Sequence, residues 1–256
     1  MILRAWLAAV IAWASIPSAS AQETRAQDVQ AALDRFKKDY RGNDDQRAGA
    51  VSALGKVKDR KILEALARVL DDPAPAVRIE AAAALAAYEK SREAAQAVSR
   101  ALADSRKHPE IQVACLDALG KIRDWNSTSA VTEQFGSPEI RVVGASLKAA
   151  GKIRNPALVE PLIGFLRNTG AGTGRPASRV EHTVNRALMT LVAQGALQQI
   201  TGEARQRREG RASDAYRAPS DADSWEAWWK AHGAGVTERL QKEEKEELER
   251  VSRQKP

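Results

Sequence analysis

Apolar residues recur at helical spacing along most of the chain. Ile62, Leu63, Leu66, Val69 and Leu70 mark one face of a short helix that stops at Asp71-Asp72-Pro73. Comparable short helices are predicted over 91–104, 129–135 and 157–166, and each is followed by a second helix. The clearest second helices run from Pro75 to Tyr88 and from Pro109 to Lys121. Proline suits a helix start because its missing N–H would have no partner there. Ahead of the first pair, Val29, Leu33, Phe36 and Tyr40 also fall on one helical face. Residues 22–42 are therefore expected to form a helix that covers the end of the array.

The pairs repeat. Gly55-Lys56-Val57-Lys58-Asp59, Gly120-Lys121-Ile122-Arg123-Asp124 and Gly151-Lys152-Ile153-Arg154-Asn155 are three copies of one pattern, with room for a further unit around Leu85-Ala86-Ala87-Tyr88. Along the second helices a small residue recurs at one register position, as Ala50, Ala81, Cys115 and Ser146. Small side chains there let neighbouring helices approach closely, which assigns Cys115 to packing. Asp59, Asp124 and Asn155 are placed to cap the helices that follow. Val77-Arg78 followed by Ala81, Ala84 and Leu85, and Gln46-Arg47 followed by Ala50, Ala53, Leu54 and Gly55, resemble the second helix of a HEAT repeat. Ile111-Gln112 lacks the arginine, and the unit from Glu139 carries two extra residues before Gly151. The resemblance covers residues 43–200 and implies an all-α fold, a right-handed α-solenoid of HEAT-like helix pairs. On activity it is nearly silent, because a fold does not fix a function.

Two segments interrupt or end the array. Asn168-Thr169-Gly170-Ala171-Gly172-Thr173-Gly174-Arg175-Pro176 is a glycine-rich insertion that lacks the Gly-x4-Gly-Lys-Ser/Thr order of a phosphate cradle. It is expected to be a loop, with Arg175 and Arg179 available for contact. Residues 201–235 read as a linker and a tryptophan-rich helix, with Trp225, Trp228 and Trp229 on one face. Ile200-Thr201-Gly202 followed by Trp-x-x-Trp-Trp is similar to the terminal element of a group of exported bacterial HEAT proteins. That helix either plugs the end of the array by burying its indoles or offers Trp225 as an aromatic platform. Residues 236–256, with Glu243-Glu244-Lys245-Glu246-Glu247, are expected to form a charged helical or disordered tail.

The start of the chain bears on location. Arg4 precedes an apolar run from Ala5 to Ile16, then Pro17 and Ala19-Ser20-Ala21, the pattern of a secretory signal peptide over residues 1–21. The run is shorter than the ~20 residues a membrane span needs, so no membrane insertion is expected after cleavage. An exported, periplasmic or secreted protein is predicted. Its net charge of +7 is interspersed along the chain. Export and the lack of a recognition motif argue against nucleic acid. With aromatics at 5% and a single cysteine, stability must come from helix packing, with no internal disulfide.

Candidate chemistry is sparse. His108, His182 and His232 are isolated, and no His-Glu dipeptide of the HEAT-type iron hydroxylases occurs. The likeness to bilin lyases rests on helical repeats alone. No catalytic, cofactor-binding or metal-binding residue is assigned, and no cofactor is expected. Lys56, Lys121 and Lys152 recur in register near helix ends, where the helix dipole favours them and where stacking would align them as a basic stripe. The expected function is a non-enzymatic scaffold of the cell envelope that presents a concave helical surface to a protein or peptide. The alternative is an envelope glycan or anionic-polymer binder, and an enzyme ranks third. The candidate partner-binding residues are Lys56, Lys121, Lys152, Arg175, Arg179 and Trp225.

Overall fold

The computed structural model describes residues 19–168, 179–202 and 219–254. Its helices are α1 (Ala19–Asp39), α2 (Asp44–Leu54), α3 (Arg60–Val69), α4 (Pro75–Leu85), α5 (Arg92–Asp104) and α6 (Pro109–Ile122). Then come α7 (Thr128–Thr132), α8 (Ile140–Ile153), α9 (Val159–Asn168), α10 (Arg179–Thr201) and α11 (Ala222–Gln254). The second helices α2, α4, α6, α8 and α10 stack one on the next, while α1, α3, α5, α7 and α9 form a layer beside them that α11 closes against α9. This is an α-solenoid of helix pairs, with its core between the layers. Residues 1–18 of the expected leader lie outside the described residues, and Ala19–Ala21 begin α1. Among the described residues no helix is long and apolar enough to cross a membrane.

Local chemistry sets where the helices begin. Asn43 and Gln46 form a reciprocal capping box at α2. The side chains of Asp59 and Ser91 accept backbone N–H groups at the starts of α3 and α5, and Asp124 and Asn155 do the same for the 3₁₀ turns that lead into α7 and α9. Pro75 and Pro109 occupy first-turn positions of α4 and α6. One expectation fails in part. Residues 129–135 form the five-residue α7 followed by a 3₁₀ turn over Glu133–Gly136. Ser127, Thr128 and Thr132 each donate to a carbonyl three residues back, at 2.6, 2.7 and 3.0 Å, and this competes with a regular helix.

The second helices carry the centre of the core. Leu54, Leu85, Leu119 and Leu147 are 2% exposed or less, as are Ala81, Cys115 and Ser146 at the small-residue register. Each buried leucine contributes about 1.5–3 kcal/mol of transfer free energy. Small residues also set the spacing between layers of the stack. A methyl built on Gly55 would lie 2.6 Å from the Ala84 Cβ, one on Gly120 would lie 3.1 Å from the Ala149 Cα, and one on Gly151 would lie 3.1 Å from the Ala196 Cα. The recurring glycine is thus a contact residue, since at Gly55 the backbone is ordinary right-handed helix, φ −63°. Left-handed geometry falls three residues later in the pattern, where Arg123 has φ 58° and Arg154 φ 55°, with Lys90 at φ 56° in the matching loop.

The C-terminal part is more ordered than composition implies. α11 runs unbroken across residue 235, where the tryptophan helix was expected to give way to a tail. Trp225 is fully buried and Trp228 nearly so, their rings meeting edge to face at 5.8 Å. Val236 and Leu240 are buried further along the same helix. Beyond Leu240 the helix lies against the loops of earlier pairs through its glutamates, so the segment is not simply solvated.

Candidate interaction surface

The contacts of Gly55 with Ala84, Gly120 with Ala149 and Gly151 with Ala196 put successive second helices in register. Four rows then face outward across the stack. Nearest the helix starts lie Asp45, Ala76, Glu110, Arg141 and Leu188, all exposed. Next come Ala48, Ile79 and Val113, half-buried, then buried Gly144 and exposed Leu191. Ser52, Ala83, Asp117 and Lys148 make a small and polar row. The last row is Lys56, Ala87, Lys121, Lys152 and Gln199. The face therefore carries an apolar row with a basic margin. Leu188 and Leu191 are 50% and 65% exposed, a conspicuous amount of apolar surface for two adjacent helical positions.

Of the residues predicted to bind a partner, Lys56, Lys121 and Lys152 are exposed at the ends of their helices. The Lys152 stem lies over Gly120 of the preceding second helix, where it would meet a methyl at 3.1 Å. Ala87 breaks the row between Lys56 and Lys121, so the stripe is not continuous. Trp225 must be corrected: its indole is wholly inside and presents no platform to a partner. Arg175 and the glycine-rich insertion from Thr169 onward lie outside the described residues, and of Arg179 only the backbone, at the first position of α10, is described.

The internal polar links were only partly visible. Arg47 reaches the buried Asp72 at 3.1 Å, Arg78 donates to Ser105 at 2.6 Å, and Gln112 donates to Gln134 at 3.3 Å. Three second helices, α2, α4 and α6, thus tie their first turns to the next pair, with glutamine substituting where the arginine is missing. Asp72 also accepts from Tyr40 and from the Ala74 N–H. Burial, reinforced by the bond to Asp72, pushes the Tyr40 phenol up to about 12.

A second set of cations lies away from the lysine row. Lys90, Arg123 and Arg154 line the edge formed by the loops between pairs, and each meets glutamates of α11. Arg123 pairs with Glu247 at 2.5 Å and Arg154 with Glu243 at 3.0 Å. Lys90 pairs with Glu244, lies 3.5 Å from Glu247, and donates to the Arg123 carbonyl at 2.9 Å. The signal was present in the sequence, since Arg123 and Arg154 share the fourth position of the repeated pentapeptide.

His108 lies beside Glu110 at 3.3 Å on the surface, and His232 stacks on Trp228 with its Nδ1 3.0 Å from the Trp228 carbonyl. No three His, Cys, Asp or Glu side chains gather as a metal would require, among the described residues. Burial raises the Cys115 thiol to about 12, which makes it a poor nucleophile.

Compared with known protein families, residues 29–111 match the model for HEAT repeats, from within α1 to the start of α6. No curated protein matches the chain. The paired architecture continues past the matched segment through α10. Arrays of this type commonly act as protein-interaction scaffolds, because stacking identical units produces one extended surface.

Proposed function

We propose that the chain is a non-enzymatic scaffold of the cell envelope that presents the outward face of its second helices to a protein or peptide. The observation that carries this reading is the apolar row Ala48, Ile79, Val113 and exposed Leu191, with exposed Leu188 in the adjoining row and lysines along the far margin of the same face. Leu188 and Leu191 are 50% and 65% exposed, so covering what remains returns about 1–2 kcal/mol each, enough to help anchor a short segment. Lysines along one margin favour a partner that is acidic on that side. The envelope location rests on the leader pattern of residues 1–21.

A photo-crosslinking residue at Val113 or Leu191, compared with one at Arg68 on α3, tests the face in intact cells. The proposal expects one protein to be captured from the first two positions and not from the third, and capture to be lost with Leu191→Asp. Equal capture from Arg68, or none from any position, would overturn it. An intact mass beginning at Gln22 checks export.

The exposed Lys56, Lys121 and Lys152 favour a second reading, an envelope glycan or other anionic polymer as ligand. Reversing all three charges together should abolish such binding while the helical circular dichroism is unchanged. Binding that survives would remove this alternative.

A further inference from the structure

The outer half of α11 lies along a loop edge whose backbone is set by contacts outside that helix. Lys90 is held in a left-handed conformation by its N–H bond to the Ile122 carbonyl at 2.7 Å, and its ammonium is anchored on the Arg123 carbonyl. With α11 seated, the Lys90 side chain is only 3% exposed. An ammonium so far from water requires a carboxylate, or it must be freed into solvent. Arg123 and Arg154 extend the same edge with two further cations, each on a left-handed backbone.

The helix that satisfies these cations is held in two unequal ways. Up to Leu240 it is anchored by buried Trp225, Trp228, Val236 and Leu240. From Gln241 to Arg253 no residue is buried, and Leu248 is 46% exposed. The attachment of that outer half comes down to Glu243, Glu244 and Glu247, which lie within about 6 Å along the helix at 1.5 Å per residue. Arg123–Glu247 and Arg154–Glu243 are partly exposed and individually weak, while Lys90–Glu244 is buried and is the firmest of the three. The inner half is thus a fixed anchor, and the outer half is a ligand held by charge.

We propose that the loop edge carrying Lys90, Arg123 and Arg154 is a binding site for an acidic amphipathic helix of a partner protein, and that the outer half of α11 is its resident occupant. The partner helix would carry three carboxylates at the spacing of Glu243, Glu244 and Glu247, the second one position and the third four positions after the first. It would displace residues 241–254 while the tryptophan anchor stays seated. The site adjoins the outward face of the second helices at Lys152, and the proposal stands whether or not that face binds a partner.

The test uses the full chain and a fluorescent peptide of residues 241–254 as probe. The wild-type protein should bind the peptide weakly, because a tethered helix competes at a high effective concentration. Glu243→Lys, Glu244→Lys and Glu247→Lys together should release the resident helix and tighten peptide binding by about tenfold or more. Adding Arg123→Glu and Arg154→Glu should return it to the weak level. Hydrogen exchange on the wild-type protein should show amides 243–253 exchanging at least tenfold faster than those of 226–238, and this arm does not depend on any variant folding. The proposal is overturned if the triple variant binds no better than wild type, or if the outer half is protected as strongly as the inner. It is equally overturned if a polyanion of matched charge competes as well as the peptide, for the edge would then recognise charge alone.

Discussion

Gly49 and Gly55 belong to one helix and its C-terminal cap, yet alanine is expected to act in opposite directions at the two. A methyl built on Gly49 meets nothing within 4 Å, and the residue is exposed in the interior of α2. Gly49→Ala should therefore stabilise by about 0.5–1 kcal/mol through helix propensity alone. A methyl on Gly55 would sit 2.6 Å from the Ala84 Cβ and 3.3 Å from its Cα, closer than two methyl carbons approach. α2 and α4 would have to separate by about 1 Å, and overpacking of this sort costs about 1–3 kcal/mol. Because Gly55 already has helical φ, alanine recovers about 0.5 kcal/mol of that, leaving a net loss of about 0.5–2.5 kcal/mol. Urea denaturation followed by circular dichroism measures both changes in one protein. The companion change Ala84→Gly removes the opposing methyl, so the double variant should be more stable than the two single effects predict by about 1 kcal/mol. Stabilisation by Gly55→Ala, or full additivity of the pair, would refute the claim that glycine fixes the spacing of the second helices.

Trp225→Ala should cost about 3–5 kcal/mol, the range for truncating a fully buried aromatic, as read by thermal or urea unfolding. A loss below 1 kcal/mol would mean the anchor of α11 lies elsewhere. Cys115 and Tyr40 give a pH dependence. Both are held up to about 12 in the folded protein, from 9.0 and 10.0, so unfolding lets them ionise at lower pH. Their contribution to stability is complete below pH 9 and is lost as pH rises from there toward 12. Cys115→Ala with Tyr40→Phe should flatten that decline in pH-dependent unfolding, and an unchanged slope would count against it. The native Cys115 thiol should also resist alkylation at pH 8 and react once urea unfolds the chain.

Much of this architecture could be seen in the sequence because it rests on local rules. The glycine pentapeptide, the prolines at helix starts and the capping residues Asp59, Asp124 and Asn155 each mark a boundary through the nearest few residues. Cys115 was assignable to packing because the register placed it with Ala50, Ala81 and Ser146. The distal contacts were not readable by the same means. Nothing near Glu244 indicates that its partner is Lys90, 154 residues earlier. A run of glutamates and lysines satisfies the rules for a solvated helix whether or not cations await it elsewhere. The burial of Trp225 likewise depends on how α11 meets α9, and periodicity shows only that the indoles share a face. α7 departed from expectation because hydroxyl side chains competed for backbone carbonyls, an effect that apolar spacing does not register.

The path of α11 has a mechanical meaning. A stacked array ordinarily behaves as a spring, in which each unit feels only its neighbours and the ends fray or flex independently. Here one rod runs back along the edge, from the Thr201 carbonyl bonded by Arg239 at 2.7 Å, past Arg154 and Arg123, to Lys90. Stretching or twisting the array would have to slide those cations along a rigid rod, so the curvature of the stack from Lys90 onward is clamped while the rod is seated. Lifting its outer end would restore the elasticity of an ordinary solenoid without unfolding any helix of the array.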